Sequence, residues 1–65
     1  MELIVNGVSK QLDVRTLHEL IAHYELLGKP IVAEVDGLIL RNDQWTETVM
    51  RPGMRIELVH FVGGG

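Results

Sequence analysis

The chain has 65 residues, of which 46% are hydrophobic and none is cysteine, and its formal net charge is −3. A domain of about 60 residues buries only about 60% of the surface that its unfolded chain exposes, so we expect one domain with a small core. Because the chain has no cysteine, we expect neither disulfides nor thiol chemistry. The negative charge argues against nucleic acid as a partner, while the lack of a signal-peptide pattern and of an apolar run near 20 residues argues against a membrane and favours the cytoplasm.

The first predicted element is a β-hairpin centred on Asn6-Gly7. Asn-Gly between two apolar runs is a strong signal for a two-residue hairpin turn, because both residues tolerate a positive φ. Val8–Asp13 is then the returning strand. In the first strand, period-2 alternation points Leu3 and Val5 toward the core and Ile4 toward the outer face of the sheet.

A single helix follows the hairpin and begins at a predicted capping box. In this box the side chain of Thr16 accepts from the amide of Glu19, and the carboxylate of Glu19 accepts from the amide of Thr16. Apolar side chains then follow at helical spacing and form one stripe: Leu17, Leu20, Ile21, Tyr24 and Leu27. Gly28 fits the C′ position that ends a helix and Pro30 prevents continuation, so the predicted helix is about three turns long.

A second hairpin is predicted around Asp36-Gly37, between strands Ile31–Val35 and Leu38–Leu40. The polar residues after this hairpin predict a turn or a single helical turn that buries the indole of Trp45. Thr46–Met50 is predicted as a short edge segment.

The last predicted strand starts at Met54 or Arg55, after a type II turn at Pro52-Gly53. Ile56 and Leu58 alternate with charged residues and should face the core. The element order is therefore β-β-α-β-β-β, which is typical of an α+β fold with one helix packed across one face of a mixed sheet of roughly four to five strands. If the first and last strands pair side by side in the middle of that sheet, the end of the chain leaves from the centre of the sheet.

Two exposed apolar side chains are predicted near the carboxyl end of the last strand. Period 2 places Val59 and Phe61 on the outer face, where Ile4 is also expected. Single exposed apolar residues mean little, but a cluster beside a functional segment is typical of a partner-binding surface. We therefore predict a surface of Ile4, Val59, Phe61 and Val62, with scattered exposed residues as the alternative.

The sequence closes with Gly63-Gly64-Gly65, which we separate as a flexible tail from a domain of residues 1–62. Terminal glycine runs also occur as unstructured ends, which is the alternative interpretation. This run directly follows an apolar strand, however, and glycines form a thread that can adopt any φ and ψ. Such a thread suits delivery of the Gly65 carboxylate into another protein's active site, with a docking surface that offsets the entropy of ordering it.

No catalytic or metal site is predicted within the chain. His18-Glu19 begins like the His-Glu-x-x-His zinc motif, but the second ligand position is Ala22, and His23 lies about 140° around the helix from His18. We interpret both histidines as solvent-facing and His60 as a half-buried structural residue. The carboxylates are scattered, so we expect a binding protein without a cofactor of its own rather than an enzyme.

Five segments carry a resemblance to a known family. They are Leu3-Ile4-Val5-Asn6-Gly7, Thr16-Leu17-x-x-Leu20, Ala33-Glu34-Val35-Asp36-Gly37, Arg41-x-x-x-Trp45 and Ile56–Gly65. The chain resembles the small ubiquitin-like β-grasp sulfur carriers, and most closely the ThiS family of thiamin biosynthesis. The Gly-Gly ending alone is shared with ubiquitin and with the small subunit of molybdopterin synthase. Asp36 and Pro52-Gly53-Met54 depart from the common pattern without touching the tail.

The resemblance implies a β-grasp fold and a carrier whose Gly65 carboxylate is activated by a partner. A ThiF-like adenylyltransferase would use ATP to form an acyl-adenylate, and sulfur from a cysteine desulfurase or another sulfur donor would replace AMP. The resulting thiocarboxylate would supply sulfur to ThiG, the thiazole synthase. Gly63 and Gly64 would thread into the partner active sites. The alternatives are a related carrier for molybdopterin synthesis, a ubiquitin-like protein modifier, and an interaction module with idle glycines.

Overall fold

The structure is a computed structural model that describes residues 1–61. In chain order its elements are β1 (Glu2–Val5), β2 (Val8–Gln11), α1 (Leu17–His23), β3 (Ile31–Val35), β4 (Leu38–Leu40), a 3-10 helix (Asn42–Glu47) and β5 (Arg55–His60). The predicted order β-β-α-β-β-β is confirmed, and the 3-10 helix is the predicted helical turn around Trp45.

The strands form one mixed sheet in the order β2-β1-β5-β3-β4. β1 runs parallel to β5, with Val5 opposite Ile56, and β3 runs antiparallel to β5, with Ala33 opposite Leu58. The first and last strands pair side by side, which is the condition under which the chain end leaves from the centre of the sheet, and β5 is the central strand. A mixed sheet of this order with one helix across one face is the predicted ubiquitin-like β-grasp fold.

The core lies between the sheet and α1. Its largest fully buried side chains come from both layers: Leu3, Leu17, Leu20, Ile21 and Ile56. Burying one such side chain contributes about 1.5–3 kcal/mol relative to leaving it exposed. Trp45 is buried beside this core, and its indole Nε1 has no hydrogen-bond partner within the described residues.

All three predicted turns are confirmed. Asn6 (φ 50°) and Gly7 (φ 80°) both adopt the left-handed region, as do Asp36 (φ 48°) and Gly37 (φ 87°). Positive φ at both central residues is the requirement of a type I′ hairpin turn. Before β5, Gly53 has φ 84°, and the chain closes this turn with a hydrogen bond from residue 54 to residue 51.

The start of α1 confirms half of the predicted capping box. The amide of Glu19 donates to Thr16 Oγ1 at 3.2 Å, as expected. The Glu19 carboxylate, however, accepts from the amide of Arg15 at 2.9 Å rather than from that of Thr16. An isolated bridge between Thr16 and Val49 holds the chain extended before the helix, which brings the Arg15 amide to the carboxylate. The predicted edge segment of residues 46–50 is reduced to this bridge.

The end of α1 differs from the prediction. The helix ends at His23 after about two turns instead of three. Glu25 adopts φ 59° and takes the C′ position that was predicted for Gly28. Its amide donates to the carbonyl of residue 22 at 2.9 Å, and the amide of Leu26 donates to that of residue 21 at 3.1 Å. These paired bonds form a Schellman motif, which ends the helix before Gly28 is reached.

The early end of α1 also changes the apolar stripe. Leu27 is 41% exposed, so its predicted place in the stripe is wrong. Leu26 packs against the core in its place, because the Schellman motif turns the chain back over the sheet.

Within residues 1–61, no helix is long and apolar enough to cross a membrane.

Candidate partner-binding site at the end of the central strand

The two halves of β5 have different neighbours. In the first half, Arg55 and Ile56 lie opposite Ile4 and Val5 of β1. On the other side, Ile56 pairs with the end of β3, and Arg55 is bound by the turn that follows β3. β1 ends at Val5. From Leu58 onward, β3 is therefore the only described strand that pairs with β5.

Side chains of the two hairpin turns bind the edges of β5. The backbone N–H of Asn6 donates to the carbonyl of Ile56 at 2.8 Å, and the side-chain Oδ1 of Asn6 accepts from the backbone N–H of Leu58 at 2.8 Å. On the opposite edge, the amide of Asp36 donates to the carbonyl of Arg55 at 2.8 Å, and its Oδ1 accepts from the Arg55 amide at 2.9 Å. Asn6 therefore extends the pairing past the end of β1, and Asp36 supports the start of β5.

Three apolar side chains share the outer face near the end of β5, and we refer to Val32, Val59 and Phe61 as the exit patch. Val32 lies directly opposite Val59, and the amide of Phe61 donates to the Pro30 carbonyl at 2.9 Å, which continues the register beyond the strand. Val59 is 50% and Phe61 is 55% exposed, while Val32 is half-buried. The predicted exposure of Val59 and Phe61 is confirmed.

Ile4 does not join the exit patch. Ile4 lies opposite Arg55 of β5. Arg55 precedes Val59 by four residues, so the two positions are about 13 Å apart along the strand, at about 3.3 Å per residue. Because β1 meets only the first half of β5, its outer side chain cannot reach the second half. The predicted grouping of Ile4 with Val59 and Phe61 is therefore wrong. Sequence reasoning missed Val32, whose position depends on the pairing of β3 with β5.

Charged side chains border the exit patch on the outer face. Glu34 lies directly opposite Glu57, in the cross-strand pair next to Val32 and Val59. Like charges directly opposite each other destabilise a sheet. The face therefore combines an apolar centre with a charged margin, which is the usual anatomy of a protein-binding surface.

The histidines are placed apart from one another. The ring of His23 meets that of Tyr24 edge-on with centroids 5.1 Å apart, and His18 is half-buried rather than fully solvent-facing. His60 is exposed, so its predicted half-buried position is wrong. The core contacts on that side of β5 end at Leu58. Among residues 1–61, no group of three or more His, Asp or Glu side chains could hold a metal ion.

Val62 and Gly63–Gly65, together with the predicted boundary between domain and tail, lie outside the described residues. Their predicted roles in docking, threading and modification remain predictions. The last described residue is Phe61, just after the central strand, and its backbone N–H donates to the carbonyl of Pro30.

The family model whose description is ThiS family matches residues 3–65. The chain belongs to the ThiS family. The match begins in β1 and continues through the whole glycine tail, so the resemblance carried by the sequence segments is confirmed over nearly the full length.

Relatives and solved structures agree with this family. Sulfur carrier protein ThiS of Bacillus subtilis is 35% identical over 65 residues, which cover 97% of this chain and 98% of that relative. The crystal structure of thiamine biosynthesis protein ThiS from Geobacter metallireducens has a TM-score of 0.82 and 26% identity, with 100% of both chains covered. The solution structure of a thiamine biosynthesis protein from the same organism gives the same TM-score and identity, with 100% of this chain and 88% of that one covered.

Proposed function

We propose that this chain is a sulfur carrier for thiamin biosynthesis, which acts in the cytoplasm as a co-substrate of partner enzymes and is not itself an enzyme. The observation that carries the proposal is the ThiS-family match over residues 3–65, since it includes both the β-grasp body and Gly63–Gly65. The names of the relatives, sulfur carrier protein and thiamine biosynthesis protein, support the same role. The central position of β5 supports it as well, because β5 is the last described strand and the glycines follow it closely in the sequence.

The reactive group in this proposal is the carboxylate of Gly65. A carboxylate is a poor electrophile, so a ThiF-like adenylyltransferase first joins it to the AMP part of ATP and releases pyrophosphate. The terminal sulfur of a persulfide on a cysteine desulfurase or another donor then attacks the acyl carbon, and AMP leaves with its bonding electrons. A thiol reductant cleaves the S–S bond of the resulting acyl disulfide and is itself oxidised to a disulfide. The product is a Gly65 thiocarboxylate, whose sulfur passes to ThiG for thiazole formation. ATP binds to the partner, so the carrier needs no cofactor of its own.

The tail and the exit patch have separate tasks in this scheme. Gly63 and Gly64 lack a Cβ atom and can follow a narrow channel in any backbone conformation. Ordering them costs about 1–2 kcal/mol of backbone entropy per residue, which contacts elsewhere must offset. We propose that the exit patch together with Val62 makes those contacts, because Val59 and Phe61 are half exposed directly before the tail.

A loading assay tests the proposal. The chain is incubated with ATP, the activating enzyme and a sulfur source, and its intact mass is expected to rise by the difference between sulfur and oxygen. Deleting Gly65, or adding one residue after it, should abolish this gain while the circular dichroism spectrum and urea midpoint stay unchanged. Unchanged sulfur uptake by the chain without Gly65 would contradict the proposal.

Complementation identifies the client. Expression of this chain should restore growth without thiamin to a strain that lacks its own ThiS, and the Gly65 deletion should not. Rescue of a strain that lacks the molybdopterin carrier, without rescue of the thiamin-requiring strain, would instead assign the chain to molybdopterin synthesis.

A further inference from the structure

We propose that Asn6 is a positioning residue for the tail, an inference that rests on the proposed sulfur-carrier function. Its side chain binds the amide of Leu58 from the side of β5 that β1 leaves open. It thereby fixes the direction of residues 58–61, referred to below as the exit segment, and so the direction in which the chain continues toward Gly65.

The turn chemistry explains why asparagine suits this position. Asn6 has φ 50°, a conformation that glycine adopts easily but most residues avoid. Glycine would satisfy the backbone and provide no acceptor. Asn and Asp combine tolerance of the left-handed region with a side-chain oxygen, and Oδ1 of Asn6 accepts the Leu58 amide at 2.8 Å.

The bond acts where β5 has the fewest partners. Pairing with β1 reaches Ile56 and stops. Beyond Ile56, the Asn6 side chain is the group among residues 1–61 that binds this edge of β5. The exit segment carries the exposed Val59 and Phe61, so burial does little to hold its outer face. Loss of the bond would leave the exit segment held by β3 and the Pro30 carbonyl on one edge alone, so its other edge would be free to move and its direction would vary more.

The direction of the exit segment matters because a partner must engage the body and the tail together. If only a fraction of molecules points the tail correctly, the apparent dissociation constant rises by the inverse of that fraction. Loss of one neutral hydrogen bond corresponds to about a five-fold effect. We expect this effect in KM for the carrier, while kcat stays unchanged because Gly65 itself is intact.

Asp36 provides a matched control. It occupies the same position of the second hairpin turn with φ 48°, and its Oδ1 accepts from the Arg55 amide of β5 at 2.9 Å. Arg55 begins β5, at the end farthest from the tail. Asp36→Gly therefore removes a side-chain acceptor for a backbone amide of the same strand without touching the exit segment. Because this acceptor is a carboxylate, the bond lost is at least as strong as that of Asn6.

The decisive experiment compares sulfur-loading kinetics of the wild type, Asn6→Gly, Asn6→Asp and Asp36→Gly. We expect Asn6→Gly to raise KM for the carrier about five-fold. Asn6→Asp keeps an acceptor oxygen and should restore KM to near the wild-type value, and Asp36→Gly should leave it unchanged. A wild-type KM for Asn6→Gly, or an equal rise in Asn6→Gly and Asp36→Gly, would overturn the inference.

Amide hydrogen exchange gives a second readout that does not depend on sulfur chemistry. The Leu58 amide should be protected in the wild type and should exchange about five-fold faster in Asn6→Gly. An unprotected Leu58 amide in the wild type would overturn the inference even if Asn6→Gly failed to fold. If the wild type took up no sulfur but its Leu58 amide were protected in this way, the proposed function would be refuted. The structural role of Asn6, which holds the exit segment against the sheet, would still stand.

Discussion

The two halves of β5 differ in burial and in neighbours although they belong to one short strand. In the first half, Ile56 has no exposed surface and pairs with Val5 on one side and Val35 on the other. In the second half, Val59 is 50% exposed, and β3 is the only strand that pairs with it in the described part of the chain. A central strand that extends beyond the end of one neighbouring strand can therefore hold the fold together and also present a surface to a partner.

The largest effect should come from the buried half. Ile56→Ala is expected to lower the free energy of unfolding by about 2–5 kcal/mol, because it leaves a cavity at the centre of the core. Domains of this size have a total stability of the order of 5 kcal/mol, so the variant should be largely unfolded at moderate urea concentrations. Urea denaturation followed by circular dichroism measures the loss.

Val59→Ala is the control for that prediction. Its side chain is half exposed on the outer face of the same strand, so we expect a change within about 0.5 kcal/mol. Equal losses for Ile56→Ala and Val59→Ala would show that the core-facing and outward-facing side chains of β5 do not differ in their contribution to stability.

The next effect concerns partner affinity. The double variant Val59→Ser with Phe61→Ser should weaken binding to the activating enzyme by about ten-fold or more, as expected when apolar anchors of an interface are removed. Its urea midpoint should hardly change. Isothermal titration calorimetry with the activating enzyme measures the affinity.

Ile39→Ser is the matched control for the exit patch. Ile39 is 64% exposed and lies on the same outer face, opposite Glu34, but it belongs to the edge strand β4. It should therefore leave the affinity unchanged. If Ile39→Ser weakens binding as much as the double variant, the partner recognises the whole outer face rather than the exit patch.

The smallest effect lies at the boundary between the two halves. Glu57→Lys should stabilise the domain by about 0.2–1 kcal/mol, because it replaces a like-charge pair with Glu34 by an opposite-charge pair. Glu57→Gln removes the repulsion without adding attraction and should give a smaller gain. A loss of stability in both variants, measured by urea denaturation, would mean that the two carboxylates do not repel each other.

The sequence predicts those features of the fold that local chemistry decides. The Asn6-Gly7 and Asp36-Gly37 turns follow from tolerance of positive φ, and the inward positions of Leu3 and Ile56 follow from period 2. The end of the helix could not be predicted in this way. Glu25 adopts a left-handed conformation against its own preference, because the Schellman motif lets Leu26 pack on the core.

The candidate site was predictable only in part, for a related reason. Alternation places Val59 and Phe61 on the outer face, and the structure agrees. The addition of Val32 and the exclusion of Ile4 depend on how β3 and β1 pair with β5, and no local pattern contains that register. The bond between Asn6 and Leu58 joins residues 52 positions apart, so the sequence reveals only the turn-forming role of Asn6.

The position of the sulfur atom in the loaded chain decides whether the Gly65 carboxyl group is the site of modification. After loading, cleavage behind Arg55 releases the peptide Ile56–Gly65, and fragmentation mass spectrometry locates the added mass within it. We expect one oxygen of the Gly65 carboxyl group to be replaced by sulfur and every other residue to be unchanged. Sulfur bound elsewhere in the chain, with an unaltered Gly65 carboxylate, would contradict it.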